Sequence, residues 1–327
     1  MKKTLLAISL AAATGLGVSQ NALADVYAYA YNNIYNLKIS SSTGIMPESA
    51  VFKLTDAASL AGVGSDSHGP VSFTSGAAPF NIPEAVVGIV ATNSPAAKGD
   101  IGSNYARGDA SIFTSELNPG KPPTATGDLT DVWAVGESYL NSNGNGGGSG
   151  SVASTSTFEF FGPTYLDFAF DASLNLIACV ADPLQCPGAV DFPSNAQAAS
   201  GVSFVITDAS GATVFDWAPG TAPTIGDGLV ASVNPFVLTT NRSRDESNTG
   251  VSSVFEDTTI SGTQFSAQTK AFAAGKYTLS LSDDKRVTTE MTTPTVPEPG
   301  TLALLGMGLL SACFVKRGKI KTSGKKA

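Results

Sequence analysis

FVITDASGATVFDW, Phe204 to Trp217, decides the fold. On either side of Asp208-Ala209-Ser210-Gly211, apolar and polar residues alternate with the period of two that a half-buried strand requires, and the four central residues are turn formers. The segment therefore reads as a β-hairpin. Working outward, Ala273-Ala274-Gly275 leads into KYTLSLSD, with Tyr277, Leu279 and Leu281 on one face, and predicts a second hairpin. Runs of the same kind occur at 51–54, 71–74, 85–92, 132–135, 156–161, 165–170, 201–207, 213–217, 236–240, 251–258, 263–272, 276–282 and 286–292. Near the N-terminus, VYAYAYNNIYNLKIS places Tyr27, Tyr29 and Tyr31 on one face of a strand. The rings are expected to be half-buried at a sheet edge; a sugar-binding platform is the alternative use of such a ladder.

Composition supports this. Only 14% of the 327 residues are charged, against about 25% in an ordinary globular chain. The 34 Gly and 18 Pro interrupt the chain too often for long helices, which excludes a helical bundle or coiled coil. Many short strands between such turns predict an all-β protein, a β-sandwich of short antiparallel strands, jelly-roll-like or Ig-like. Asn141 to Gly150, NSNGNGGGSG, has no side chain able to pack, and is expected to be a flexible surface loop spanning about 17 Å within one sandwich rather than a linker between two domains.

Charge divides by segment. Eight of the 19 basic residues lie in the two ends, so the body keeps 11 against 26 of the 27 acids, a net −15. That field repels nucleic acid and anionic membrane surfaces, and neither is expected as a partner. Lys2 and Lys3 precede the apolar run Thr4 to Val18 and then Ala22-Leu23-Ala24 before Asp25, with small residues at the −3 and −1 positions of a cut. This is the pattern of a secretory signal peptide, a helix over 1–24 that delivers the chain to the Sec translocon and is cleaved between Ala24 and Asp25.

At the other end, 294–300 is a Pro-rich segment with Pro294, Pro297 and Pro299, which keep the chain extended. Residues 301–315 are uncharged, and as a helix would reach about 22 Å, short of a ~30 Å hydrocarbon core. Lys316, Arg317 and Lys319 open a basic tail, 316–327, that stops transfer and stays cytoplasmic. The expectation is a short transmembrane helix that anchors the chain only transiently in the inner membrane.

Pro297-Glu298-Pro299, directly followed by Gly300, a short apolar helix and a terminal basic cluster, resembles the PEP-CTERM sorting signal of exosortase substrates. The resemblance covers about a tenth of the chain. It implies recognition by an exosortase in the inner membrane of a Gram-negative bacterium and cleavage near the triad, in the manner of a GPI signal. It further implies release to the outer cell surface or extracellular matrix, and association with exopolysaccharide and biofilm. The Tyr-rich start and the strand phrases of the body, 25–293, also resemble an EDSAP-type group of such proteins.

The body offers little for chemistry. Cys179 and Cys186, in CVADPLQC, close a short loop around Asp182-Pro183, and in an oxidising compartment they should form a disulfide worth roughly 2 to 3 kcal/mol. Cys313 lies in the apolar tail. His68, in GSDSHGP, is expected in an exposed loop, where adjacent Asp66 and Ser67 do not make a triad. Glu137 in VWAVGES and Glu159 in FEFFG, each beside aromatics, are the acids a glycosidase would use, though alternation places them on solvated strand faces. No ligand spacing for zinc or an EF-hand occurs, and calcium could find only an irregular site, at Asp227-Gly228 or among Asp100, Asp109, Asp128 and Asp131, which are expected in loops. The sequence thus predicts no catalytic residue, no metal and no cofactor, but an exported structural or adhesive protein. A carbohydrate-binding module is the alternative, and a secreted hydrolase comes third.

Overall fold

The computed structural model describes residues 25–43, 49–74, 80–88, 103–113, 130–180, 194–220, 228–245, 253–257 and 264–292, all within one unit, Ala22–Thr292. Among them every regular element is a strand, and none is a helix that could cross a membrane. The expected signal helix and the transmembrane helix at 301–315 lie outside the described residues.

One sheet contains β1 (Val26–Ser41), β4 (Phe80–Asn81), β5 (Ala85–Gly88), β6 (Tyr105–Phe113), β7 (Thr130–Leu140), β9 (Leu166–Val180), β12 (Leu229–Val233), β14 (Ser253–Asp257) and β15 (Gln264–Thr269). Its order is β12-β15-β9-β1-β7-β6-β4, with β14 also on β9 and β5 also on β6. The second sheet holds β2 (Ser49–Leu60), β3 (Gly64–Thr74), β8 (Gly144–Phe160), β10 (Ser194–Asp208), β11 (Thr213–Trp217), β13 (Thr240–Asp245) and β16 (Gly275–Met291). Its order is β11-β10-β16-β8-β2-β3, with β13 also on β10. The pairings are antiparallel, and the two inner faces share one hydrophobic core.

The hairpin at Asp208 forms as read. β10 and β11 pair Phe204 with Trp217 and Ile206 with Phe215, and Gly211 takes a φ of +84°, which a Cβ would disfavour. Asp208 Oδ1 accepts hydrogen bonds from Ser210 Oγ at 2.6 Å, Ser210 N at 2.9 Å and Ala212 N at 3.0 Å. These bonds, that from the Ser210 hydroxyl foremost, hold its carboxyl below the usual range. The inward rings of this hairpin meet those of the facing sheet: Phe168 stacks on Phe215 at 5.5 Å and Phe170 packs on Trp217 at 5.7 Å. Burying each such ring contributes about 1.5 to 3 kcal/mol.

Several expectations are corrected. The strands are not uniformly short, since β1, β8, β9, β10 and β16 each run 15 to 17 residues. Ala273-Ala274-Gly275 does reverse the chain, but β15 and β16 lie in different sheets, so the segment is a crossover and not a hairpin. Turn residues set a reversal, not a partner. Residues 236–239 are not strand, and β13 begins only at Thr240. The runs 276–282 and 286–292 are parts of one strand, β16, which carries the charged triplet Asp283-Asp284-Lys285 through the middle of its sheet. The tyrosine ladder is not at an edge, because β1 is flanked on both sides, by β7 and β9.

The largest correction concerns Asn141 to Gly150. Only residues 141–143 bend; from Gly144 the chain is strand β8, hydrogen-bonded to β16 on one side and β2 on the other. Its inward positions run Gly146, Gly148, Gly150, Val152, Ser154, Ser156, Phe158, Phe160, a taper from no side chain to a phenyl ring. At the phenyl end, Phe160 stacks on Phe272 at 6.0 Å. At the glycine end the sheets touch backbone to backbone. A Cβ on Gly136 would stand 2.7 Å from the Gly148 carbonyl oxygen, and Cβ atoms on Gly108, Gly148 and Gly150 would collide with the carbonyls of Ser149, Arg107 and Asp109. The ordinary separation of packed sheets, about 10 Å, is not reached there. What reads as low complexity is the absence of side chains that a close sheet contact demands.

Candidate functional site

Alternation on β1 sends Ala28, Ala30 and Asn32 inward and Tyr27, Tyr29 and Tyr31 to the outer face of the first sheet. Register then sets their neighbours. Tyr27 lies opposite Tyr139 and Tyr29 opposite Glu137 on β7, while Tyr105 and Arg107 on β6 face the same two residues from the other side. The rings form a continuous set: Tyr27 and Tyr29 stack at 6.4 Å, Tyr27 meets Tyr139 edge-on at 6.5 Å, and Tyr105 stacks on Tyr139 at 5.8 Å.

Glu137 sits at the centre. Its Oε1 accepts hydrogen bonds from the hydroxyls of Tyr27 and Tyr105, both at 2.7 Å, and its Oε2 accepts the Arg107 Nε–H. Arg107 Nη1 reaches Glu84 at 3.4 Å. Arg107 and Glu137 are completely buried, and Tyr27, Tyr29, Tyr105 and Tyr139 are at most 2% exposed. Burial, reinforced by the Glu137 charge, pushes the phenols of Tyr27, Tyr29 and Tyr105 far above their usual range, so they stay protonated, and those of Tyr27 and Tyr105 act as fixed donors to Glu137. Burial works against the Arg107 charge, but Glu137 outweighs it and the guanidinium is held more firmly protonated. A buried ion pair is tolerable only when its remaining hydrogen-bonding capacity is met, and the two phenols meet it.

The arrangement binds Glu137 rather than freeing it. A general base needs a lone pair directed at substrate, and a sugar platform needs rings in solvent. Glu137 is committed to three donors, and Tyr27 and Tyr29 are closed off. Glu159, on the outer face of the second sheet, pairs with Lys276 at 3.7 Å and points away from the face that carries Glu137. The two acids therefore do not converge.

Other residues singled out by sequence fall as follows. His68 is not in a loop but on β3, where its backbone N and Nδ1 lie 2.9 and 3.1 Å from Asp56 Oδ1. Burial raises the Asp56 carboxyl, against the hydrogen bonds from His68. Neighbouring Asp66 accepts the Val86 N–H at 3.0 Å, stitching the second sheet to β5 of the first. Asp109 is not in a loop but on β6, where burial pushes its carboxyl up to about 7. Asp25, the expected first residue after signal cleavage, is 5% exposed, and burial raises its carboxyl despite a hydrogen bond with Tyr139. Cys179 is fully buried and disulfide-bonded. Cys186, Ala22, Ala24, Pro297, Glu298, Pro299, Gly300, Lys316, Arg317 and Lys319 lie outside the described residues. Among the described residues, no group of three His, Cys, Asp or Glu side chains is placed to hold a metal ion.

Comparison with known proteins bears on the C-terminal part of the sequence. Residues 295–317 match the family described as the PEP-CTERM protein-sorting motif. The match contains the Pro297-Glu298-Pro299 triad, the apolar stretch and the first basic residues, so the chain carries a segment similar to that sorting motif. It does not distinguish an EDSAP-type group. No curated protein and no solved structure matches the chain.

Proposed function

We propose that this exported, exosortase-sorted chain is a structural component of the outer cell surface or extracellular matrix of a Gram-negative bacterium, where its body associates with exopolysaccharide. The sorting motif at 295–317 carries the reading. Export would run through the Sec translocon, and the inner membrane would hold the chain only until an exosortase cut near Pro297-Glu298-Pro299. The body acts through its surface and not as an enzyme. That part of the proposal draws on the saturation of Glu137 and on the opposite orientation of Glu159.

A carbohydrate-binding role has one observation in its favour. A groove of about 530 Å³ on the second sheet has Ser59, Ser65, Asp66, Gly147, Ser149 and Arg286 among its lining residues. It offers hydrogen bonds to a polyol but no ring for stacking.

The test has two parts. Replacing Pro297-Glu298-Pro299 by three alanines should leave the protein at the inner membrane with its tail intact, while the unaltered surface form should lack Lys316 to Ala327 by mass spectrometry. Deleting the protein should change cell aggregation while leaving polysaccharide chain length unchanged. Purified protein that shortens the polysaccharide would establish a hydrolase instead. Binding without cleavage, lost in Arg286→Ala, would favour the carbohydrate-binding module.

A further inference from the structure

Three polar side chains meet inside the hydrophobic core, on the face of β1 opposite its tyrosines. Lys285 and Asp283 project inward from β16, and Asn32 projects inward from β1 of the facing sheet. Asn32 and Asp283 are 0% exposed and Lys285 is 1% exposed. Lys285 Nζ donates to Asp283 Oδ1 and, at 3.2 Å, to the Asp284 carbonyl. The Asn32 carboxamide lies against the same carboxylate and steadies its charge, yet the pair misses hydrogen-bond geometry. Both amide atoms of Asn32, and Asp283 Oδ2, are left unpaired.

The surroundings are apolar or small. Asp283 pairs across the sheet with Val152 and Val202, and Lys285 with Gly150 and Ser200, which leaves room for the lysine stem. Asn32 lies between Ala134 and Leu174. A buried amide with neither donor nor acceptor met is expensive and calls for an explanation. Merely to neutralise Lys285, Asp283 would suffice; Asn32 adds an electrophilic carbonyl beside an amine and a carboxyl, shielded from water.

We propose that Lys285 and Asn32 become joined by an intramolecular isopeptide bond that ties the two sheets together, with Asp283 relaying the proton. The neutral amine of Lys285 attacks Cγ of Asn32 while the protonated Asp283 carboxyl polarises Oδ1. The Nζ–Cγ bond forms, the Cγ–Nδ2 bond breaks, Asp283 passes the proton lost by Nζ to the departing nitrogen, and ammonia leaves. No oxidant or cofactor is consumed. Burial favours the protonation states required: it lowers the Lys285 ammonium and raises the Asp283 carboxyl, each against the attraction of its partner. The bond would join β1, the first strand, to β16, whose last residue, Met291, stands just before the sorting motif in sequence. Load applied at the sorted end would then reach a covalent cross-bridge rather than hydrogen bonds alone.

The test is peptide mapping of the purified full-length chain after reduction and proteolysis. The peptides containing Asn32 and Lys285 should be recovered as one branched species, lighter by one ammonia than their sum, with no tryptic cut after Lys285. Recovery of the two peptides separately at full mass would overturn the proposal and leave a plain buried ion pair. Asp283→Asn retains both reacting groups and should lose the branched species; its persistence in that variant would overturn the role of Asp283.

Discussion

Gly148 of β8 lies directly on the carbonyl oxygen of Arg107 in β6, so the two sheets meet there with no side chain between them. The contact is repeated at Gly108 on Ser149 and at Gly150 on Asp109. A methyl group at Gly148 would have to displace backbone on both sides, since the Glu137 carbonyl also stands 2.7 Å from the Cβ position.

Gly148→Ala is therefore expected to destabilise the body by about 3 kcal/mol or more, the upper end of overpacking, because the obstacle is backbone and cannot rotate away. Gly201→Ala, on β10 with nothing within 4 Å of the new Cβ, is the control. It should be neutral or gain about 0.5 kcal/mol by restricting the unfolded chain. Urea midpoints of the two variants check the difference, and equal midpoints would refute the close sheet contact.

The Glu137 network makes a graded prediction. Tyr27→Phe and Tyr105→Phe each remove one donor from a buried carboxylate and should cost about 2 kcal/mol. Glu137→Gln leaves Arg107 buried beside a neutral amide and should cost more, about 3 to 5 kcal/mol. A Glu137→Gln variant as stable as the parent would contradict the ion pair.

How far these features were legible varies by residue, for a physical reason in each case. The Asp208 hairpin was readable because turn chemistry and alternation are local. The all-β class and the two sheets follow from many such segments. The glycine strand was not readable, since a run without side chains carries no periodicity and its meaning lies in the facing strands. Asp283-Asp284-Lys285 looked like a break because charge marks solvent on average, whereas here Asp283 and Lys285 neutralise each other inside the core. Glu137 was noticed for its aromatic neighbours, but Arg107 and Tyr105, which reach it from another strand, could be assigned only from register.

Cys179 is disulfide-bonded, and sequence proximity makes Cys186 its expected partner. Non-reducing digestion should yield one peptide pair joining these two residues, separated by reduction. A bond from Cys179 to Cys313 would instead tie the sheet to the sorting tail and would be lost from the surface form. Mapping before and after sorting distinguishes the two pairings.

Asp109 gives a prediction about pH. Its carboxyl is raised to about 7, first by burial and then by the charges of Glu84 and Asp56, against the backbone bond from Ala110 and the attraction of Arg107. An unfolded Asp titrates near 3.9, so between about pH 4 and 7 the folded chain binds a proton that the unfolded chain has released. The stability from this group is complete below pH 4 and is lost as pH rises to 7, above which the loss is constant. Asp109→Asn keeps the oxygen that accepts the Ala110 N–H at 2.7 Å but cannot ionise. The variant should match the parent at pH 4 and exceed it at pH 8 by about 2 kcal/mol, after discounting for the solvent that still reaches this carboxyl. Asp56 and Glu84 are raised in the same direction, so the parent's whole curve falls more steeply than Asp109 alone dictates, and only the difference between the two proteins isolates the group. Thermal or urea unfolding across pH 4 to 8 measures it, and a difference that stayed constant with pH would show that Asp109 is already ionised throughout that range.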